Sequence, residues 1–72
     1  MNIAQVIKEL RQARGLTQTQ LAEAIHSTQA SIQEWETGKK RPMIDAVVSL
    51  AKFFDVSADY LLGLEDEIGA KV

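Results

Sequence analysis

The chain has 72 residues, is 46% hydrophobic and 25% charged, and carries a formal net charge of −2. These fractions exclude a disordered or collagen-like chain, and the length allows one small core that buries about 60% of the unfolded surface. Without cysteine there are no disulfides, a single histidine argues against structural zinc, and no apolar run nears the ~20 residues of a membrane span.

Helical period runs along the whole chain. Ile3, Val6, Ile7 and Leu10 follow the i, i+3, i+4, i+7 rule, with Asn2 as N-cap and Gly15 as the stop, which predicts a first helix near 3–14. Thr17 caps a second helix, with Leu21 and Ile25 on one face and Ala22 and Ala24 as small neighbours. His26 and Ser27 break the pattern. Thr28 caps a third helix in which Ile32 and Trp35 face inward, and Gly38 ends it after Thr37. The segment Gly38-Lys39-Lys40-Arg41-Pro42 reads as a loop. Beyond it Ile44, Val47, Val48, Ala51 and Phe54, widened by Leu50, form the stripe of a fourth helix. Ser57 caps a short fifth helix through Tyr60, Leu61 and Leu62, and Gly63 stops it. No segment alternates with the period of a strand, and the residues from Leu64 onward have weak periodicity and three acids. The expected architecture is all-α, five short helices around one core.

Charge is unevenly spread. Residues 1–41 hold Lys8, Arg11, Arg14, Lys39, Lys40 and Arg41 against Glu9, Glu23, Glu34 and Glu36, a net of +2. Residues 42–72 hold Lys52 and Lys71 against six acids, a net of −4. Any electrostatic reading of a polyanionic partner is therefore local.

The joint between the second and third helices is the informative feature. On the third, Gln29, Ala30, Gln33, Glu34 and Thr37 share the arc opposite Ile32 and Trp35, and none is large and apolar. A helix N-terminus suits a phosphate, a major groove admits a helix, and a glutamine amide can bond an adenine edge through two atoms. A solvated helix face fits the same residues.

The chain resembles the lambda-repressor-like (Xre/Cro-type) helix-turn-helix family, in register over 3–63. The matching residues are Ile7-Lys8-Glu9-Leu10-Arg11, Arg14-Gly15-Leu16-Thr17-Gln18, Gln20-Leu21-Ala22-Glu23, Ser31-Ile32, Trp35-Glu36-Thr37-Gly38, Arg41-Pro42, Leu50-Ala51-Lys52 and Phe54 through Gly63. Thr28 through Ile32 looks most like the recognition helices of lambdoid phage repressors and Cro proteins. The resemblance implies that Gln29, Ala30, Gln33 and Glu34 face bases, while Gln18, Thr28, Lys39, Lys40 and Arg41 meet phosphates. It implies that Gln18 also braces the recognition helix, and that Arg11 and Glu36 form a structural pair. It further implies a dimer on a two-fold operator with half-sites about one helical turn, roughly 34–36 Å, apart.

Three positions depart from the family pattern. His26 stands where glycine with positive φ is usual, which should carry strain. Ser27 replaces a usual apolar residue, so a looser turn is expected. Glu34 replaces a base or amide; it repels phosphate but can accept from a cytosine N4 amine.

Other readings of single residues are mostly structural. Trp35 is expected in the core, and His26 as a turn residue only. Tyr60, Leu61, Leu62 and Leu64 are expected in a self-complementary patch, with closure of the core as the alternative. A catalytic triad cannot be assembled around one histidine at a turn, and Asp55 and Asp59 sit at helix ends where capping explains them. No glycine-rich phosphate loop is present. The expected protein is a helix-turn-helix domain over 1–63 followed by an acidic tail over 64–72, with no enzymatic activity. It is expected to act as a sequence-specific DNA-binding regulator, a repressor holding a palindromic operator as a homodimer with the helix at about 28–37 in the major groove. Double-stranded DNA and a second copy are the expected partners, without cofactor, metal, membrane or small-molecule ligand. The location is expected to be cytoplasmic, bacterial or phage-encoded, and nucleoid-associated when bound. An antitoxin- or adaptor-like protein-interaction module is the alternative on the same fold, motivated by the acidic second half and Glu34.

Overall fold

The computed structural model describes residues 2–63, and every regular element among them is a helix. The order is α1 (Ile3–Ala13), α2 (Gln18–Ala24), α3 (Gln29–Thr37), α4 (Ile44–Phe54) and α5 (Ala58–Leu61). The expected five-helix architecture is observed. The segment 64–72, with Leu64 of the expected patch, lies outside the described residues.

Four helices begin on a side chain that accepts a hydrogen bond from a backbone amide three residues on. Asn2 accepts from Gln5, Thr17 from Gln20, Thr28 from Ser31 and Ser57 from Tyr60. In α2 the cap is reciprocal, because the Thr17 amide donates to Gln20 Oε1 at 2.9 Å. Each such cap stabilises its helix by about 1 kcal/mol, which matters for helices this short. α4 starts at Met43 with no side-chain cap bond.

Three helices end with the same device. The chain turns at a residue in the left-handed region: Gly15 (φ 66°) after α1, His26 (φ 58°) after α2 and Asp55 (φ 55°) after α4. The following amide then reaches back five residues, Leu16 to Arg11 at 3.1 Å, Ser27 to Ala22 at 2.8 Å and Val56 to Ala51 at 3.0 Å. A second bond joins His26 N–H to the Glu23 carbonyl at 3.4 Å. Both bonds of a Schellman motif thus close the α2–α3 turn. The looser turn expected from Ser27 is not observed, because the closure is made by backbone groups and needs no apolar side chain. The positive φ expected at His26 is present.

The core is built from one stripe of each helix. Ile3, Val6 and Ile7 meet Leu21, Ala22 and Ile25, Ile32 and Trp35, then Val47, Leu50 and Phe54, with Leu61 from α5. Burying a side chain of the leucine, isoleucine or phenylalanine class stabilises by about 1.5–3 kcal/mol. Leu61 is fully enclosed, at 0% exposure, so it closes the core of its own chain and offers no surface to a partner. The exposed neighbour is Leu62, at 45%. Trp35 lies in the core at 8%.

A second tie joins α1 to α4. Arg14 donates from Nη1 to the Phe53 carbonyl at 3.1 Å and from Nη2 to the Phe54 carbonyl at 2.9 Å. Its guanidinium also stands 5.6 and 5.4 Å from the centroids of the Phe53 and Phe54 rings. Carbonyls left open at the end of α4 are satisfied by a cation, which suits the negative end of the helix dipole.

Candidate nucleic-acid interface

The third helix owes its orientation to a chain of polar contacts that starts on α1. Arg11 donates from Nε to Glu36 Oε2 at 2.6 Å and from Nη2 to Glu36 Oε1 at 2.9 Å. Its remaining nitrogen donates to the Leu16 carbonyl at 2.7 Å, which ties the α1–α2 turn into the same group. The side chains of Arg11 and Glu36 are 12% and 3% exposed, so this fork is almost enclosed. The hydrogen bond to Glu36 holds the Arg11 guanidinium above its ordinary pKa; burial opposes this and the Glu36 charge adds to it. Arg11 therefore stays charged far above neutrality.

From Glu36 the chain continues outward. Gln18 Nε2 donates to Glu36 Oε1 at 3.1 Å, and Gln18 Oε1 accepts from Gln29 Nε2 at 2.7 Å. Four residues from three helices, Arg11, Glu36, Gln18 and Gln29, thus form one connected network. It begins in the interior and ends at the exposed first residue of α3. Gln29 keeps its carbonyl oxygen and one amide hydrogen uncommitted in this arrangement, a donor and an acceptor side by side. Gln18 spends one hydrogen and one oxygen contact inside the protein.

Ala30, Gln33 and Thr37 are exposed with Gln29 on the arc opposite Ile32 and Trp35. Glu34, on the same arc, is less exposed: its side chain is 24% exposed and lies 3.8 Å from Lys40 Nζ. Thr28 caps α3 with its hydroxyl, which accepts from the Ser31 amide at 3.2 Å and donates to Ser31 Oγ at 3.0 Å. Its hydroxyl hydrogen is therefore in use, and an anion at this end would meet backbone N–H groups first.

Lys39, Lys40 and Arg41 follow α3 and are exposed, after Gly38 turns the chain at φ 79°. The Lys40 amide donates to the Glu34 carbonyl at 3.2 Å, which folds this loop back over the end of the helix. The basic loop and the polar arc of α3 adjoin. Between the α2–α3 turn and the start of α4 lies a groove of about 470 Å³, walled by Ser31, Glu34, Lys40 and Arg41 and edged by Met43 and Ile44. Met43 and Ile44 are 80% and 74% exposed and form a hydrophobic edge; Ile44 and Val48 (43% exposed), expected in the inward stripe of the fourth helix, face solvent instead. Among the described residues no cluster of histidine, cysteine or carboxylates could hold a metal ion, and no helix is long and apolar enough to cross a membrane.

Sequence reasoning did not find the Arg14 tie or the Lys40–Glu34 contact. The first joins residues almost forty positions apart with no periodic signature, and the second depends on how the loop folds back.

A family of helix-turn-helix proteins matches residues 7–61. The chain is 44% identical over 68 residues to the uncharacterised HTH-type transcriptional regulator YobD of Bacillus subtilis (strain 168), covering 94% of this chain and 61% of that protein. Against the HTH-type transcriptional activator BcrR of Enterococcus faecalis it is 37% identical over 68 residues, covering 94% of this chain and 33% of that protein. The chain thus spans less than two thirds of the length of these curated relatives. Among solved structures, SinR, a master regulator of biofilm formation in complex with DNA, superposes with a TM-score of 0.77 at 28% identity, covering 83% of this chain and 97% of that one.

Proposed function

The chain belongs to the lambda-repressor-like (Xre/Cro-type) helix-turn-helix family, and from that premise we propose that it is a sequence-specific DNA-binding transcriptional regulator that acts as a repressor. One observation carries the reading: Gln29, at the start of an exposed arc of small and amide side chains, is tied to the interior through the Gln18–Glu36–Arg11 network. Base readout needs donors and acceptors fixed to a fraction of an ångström, and a network anchored in a nearly buried ion pair supplies that.

In this reading α3 enters the major groove. Gln29 presents its free oxygen and amide hydrogen to an adenine edge, accepting from N6 and donating to N7. Ala30 and the aliphatic part of Gln33 lie against neighbouring base edges, and Glu34, on the same arc, meets Lys40. Lys39, Lys40 and Arg41 hold the backbone beside the groove, joined by Gln18 and the Thr28 end of α3, and these contacts set register rather than sequence. Two copies related by a two-fold axis would read half-sites about 34–36 Å apart, with Tyr60 and Leu62 at the surface between them. Leu61, enclosed in the core, drops out of that patch, and Leu62 stays exposed in it. Work on the chromosome places the protein in the cytoplasm, and DNA reading calls for no catalytic group or cofactor.

Titration against fragments of genomic DNA tests this. A preferred, two-fold symmetric site is expected. Equal binding of Gln29→Ala to every sequence the parent prefers would remove Gln29 from base reading, since a bidentate contact discriminates by about 1–3 kcal/mol.

A second reading is favoured by the exposure of Met43 and Ile44 beside the groove. On this reading the same fold is an antitoxin- or adaptor-like module that presents an apolar edge to a protein. A stoichiometric protein partner on purification, with no retardation of duplex DNA at low salt, would favour it over the first.

A further inference from the structure

Glu34 is the acid of the α3 surface that the polar network leaves out. Glu36, two residues on, is enclosed and takes hydrogen bonds from Arg11 and Gln18. Glu34 instead has its carboxylate 3.8 Å from Lys40 Nζ, at the wall of the groove and partly screened from solvent. Two backbone-level contacts hold this geometry. The Glu34 carbonyl accepts from the Lys40 amide at 3.2 Å and from the Thr37 hydroxyl at 3.3 Å, so the loop is folded back over the residue whose charge it meets. The ion pair itself is long and the lysine is exposed, so the ammonium can be drawn away by a stronger anion.

DNA phosphate is such an anion. Contact between Lys40 and a phosphate must either break the pair with Glu34 or leave a carboxylate beside the polyanion, and both cost affinity. We propose that Glu34 is an affinity-limiting residue that acts through Lys40: it engages the ammonium in the free protein and so lowers the hold of the domain on any duplex. Residues 1–63 carry seven bases and seven acids, so no net attraction offsets that loss and a single local charge weighs heavily. The inference rests on the DNA-binding reading above, and it makes Glu34 a positioning residue rather than a base reader.

The test measures binding of the full chain to a labelled duplex of mixed sequence over a salt series, for the parent, Glu34→Gln, Lys40→Gln and the double variant. Glu34→Gln is expected to bind about two- to fivefold more tightly at low salt, the scale of an exposed ion pair. Its plot of log affinity against log salt should steepen by up to about one unit, because one more phosphate is neutralised. In the Lys40→Gln background the same substitution should bring little gain. Thermal melting of each variant, expected to match the parent, shows that the fold is intact.

With a parent that binds duplex, three results would overturn the proposal. A gain that persists without Lys40 would mean that Glu34 repels phosphate directly. Loss of discrimination at one base pair, with an unchanged salt slope, would mean that Glu34 reads a cytosine. Retention of the parent's affinity by Glu34→Gln, while the parent binds duplex, would refute this inference alone. If the parent itself retards no duplex at low salt, the DNA-binding reading falls and this inference with it.

Discussion

Two carboxylates sit two residues apart on α3 and meet opposite surroundings. Glu36 is 3% exposed and is gripped by a two-bonded arginine and a glutamine, whereas Glu34 is 24% exposed and faces one exposed ammonium at 3.8 Å. A nearly buried pair must be complete, because removing one partner leaves an unsatisfied charge. A half-exposed pair contributes little to stability but can be exchanged for another anion. One side of the helix is thus a fixture and the other an adjustable contact. On the proposed reading, a fixed arc beside an exchangeable lysine would separate specificity from overall affinity.

The sharpest way to break this contrast is Arg11→Ala. It strands the enclosed Glu36 carboxylate, and a loss of about 3 kcal/mol is expected by denaturant titration. The Lys40→Gln variant, its counterpart on the other side, should unfold within about 0.5 kcal/mol of the parent. Equal losses for the two would erase the distinction. Next in size, Gln29→Ala should cost about 1–3 kcal/mol in binding to the preferred site while leaving the unfolding midpoint nearly unchanged.

Arg14→Ala removes a tie outside both regions. It forfeits two bonds to the end of α4 and the stacking on Phe53 and Phe54, for which about 1–2 kcal/mol of stability is expected. The smallest effect has the opposite sign. His26→Gly relieves a left-handed residue and should stabilise by about 0.5–1 kcal/mol, less whatever the added freedom of glycine costs in the unfolded chain. A destabilised His26→Gly would show that the imidazole makes a contact that its exposed position does not suggest.

Helices, caps and core stripes were legible because each depends on residues within a few positions. Asn2, Thr17, Thr28 and Ser57 each bond an amide three residues away, and the inward residues of α1 and α3 recur at helical spacing. On α4 the spacing gives too wide a stripe, since Ile44 and Val48 are exposed. The fork between Arg11 and Glu36 and the arc of Gln29 and Gln33 were reachable through the family resemblance joined to that spacing. What was not legible lay in contacts between distant segments or in elements too short to carry a period. α5 has four residues, and nothing local says that Leu61 turns inward while Leu62 turns outward. Ser27 misled for a related reason: its side chain suggested slack, but the turn is closed by its amide on Ala22. The role of Gln18 changed in emphasis too, since its amide is used between Glu36 and Gln29 before any phosphate arrives.

The central claim is that a network-held Gln29 reads DNA sequence. The most direct measurement is selection of bound sites from a random duplex library by the parent and by Gln29→Ala, followed by sequencing of the bound pools. The parent should enrich a two-fold symmetric site, and the variant should enrich the same site with one position per half-site relaxed. A parent that enriches nothing, or a variant whose preferences match the parent at every position, would contradict it.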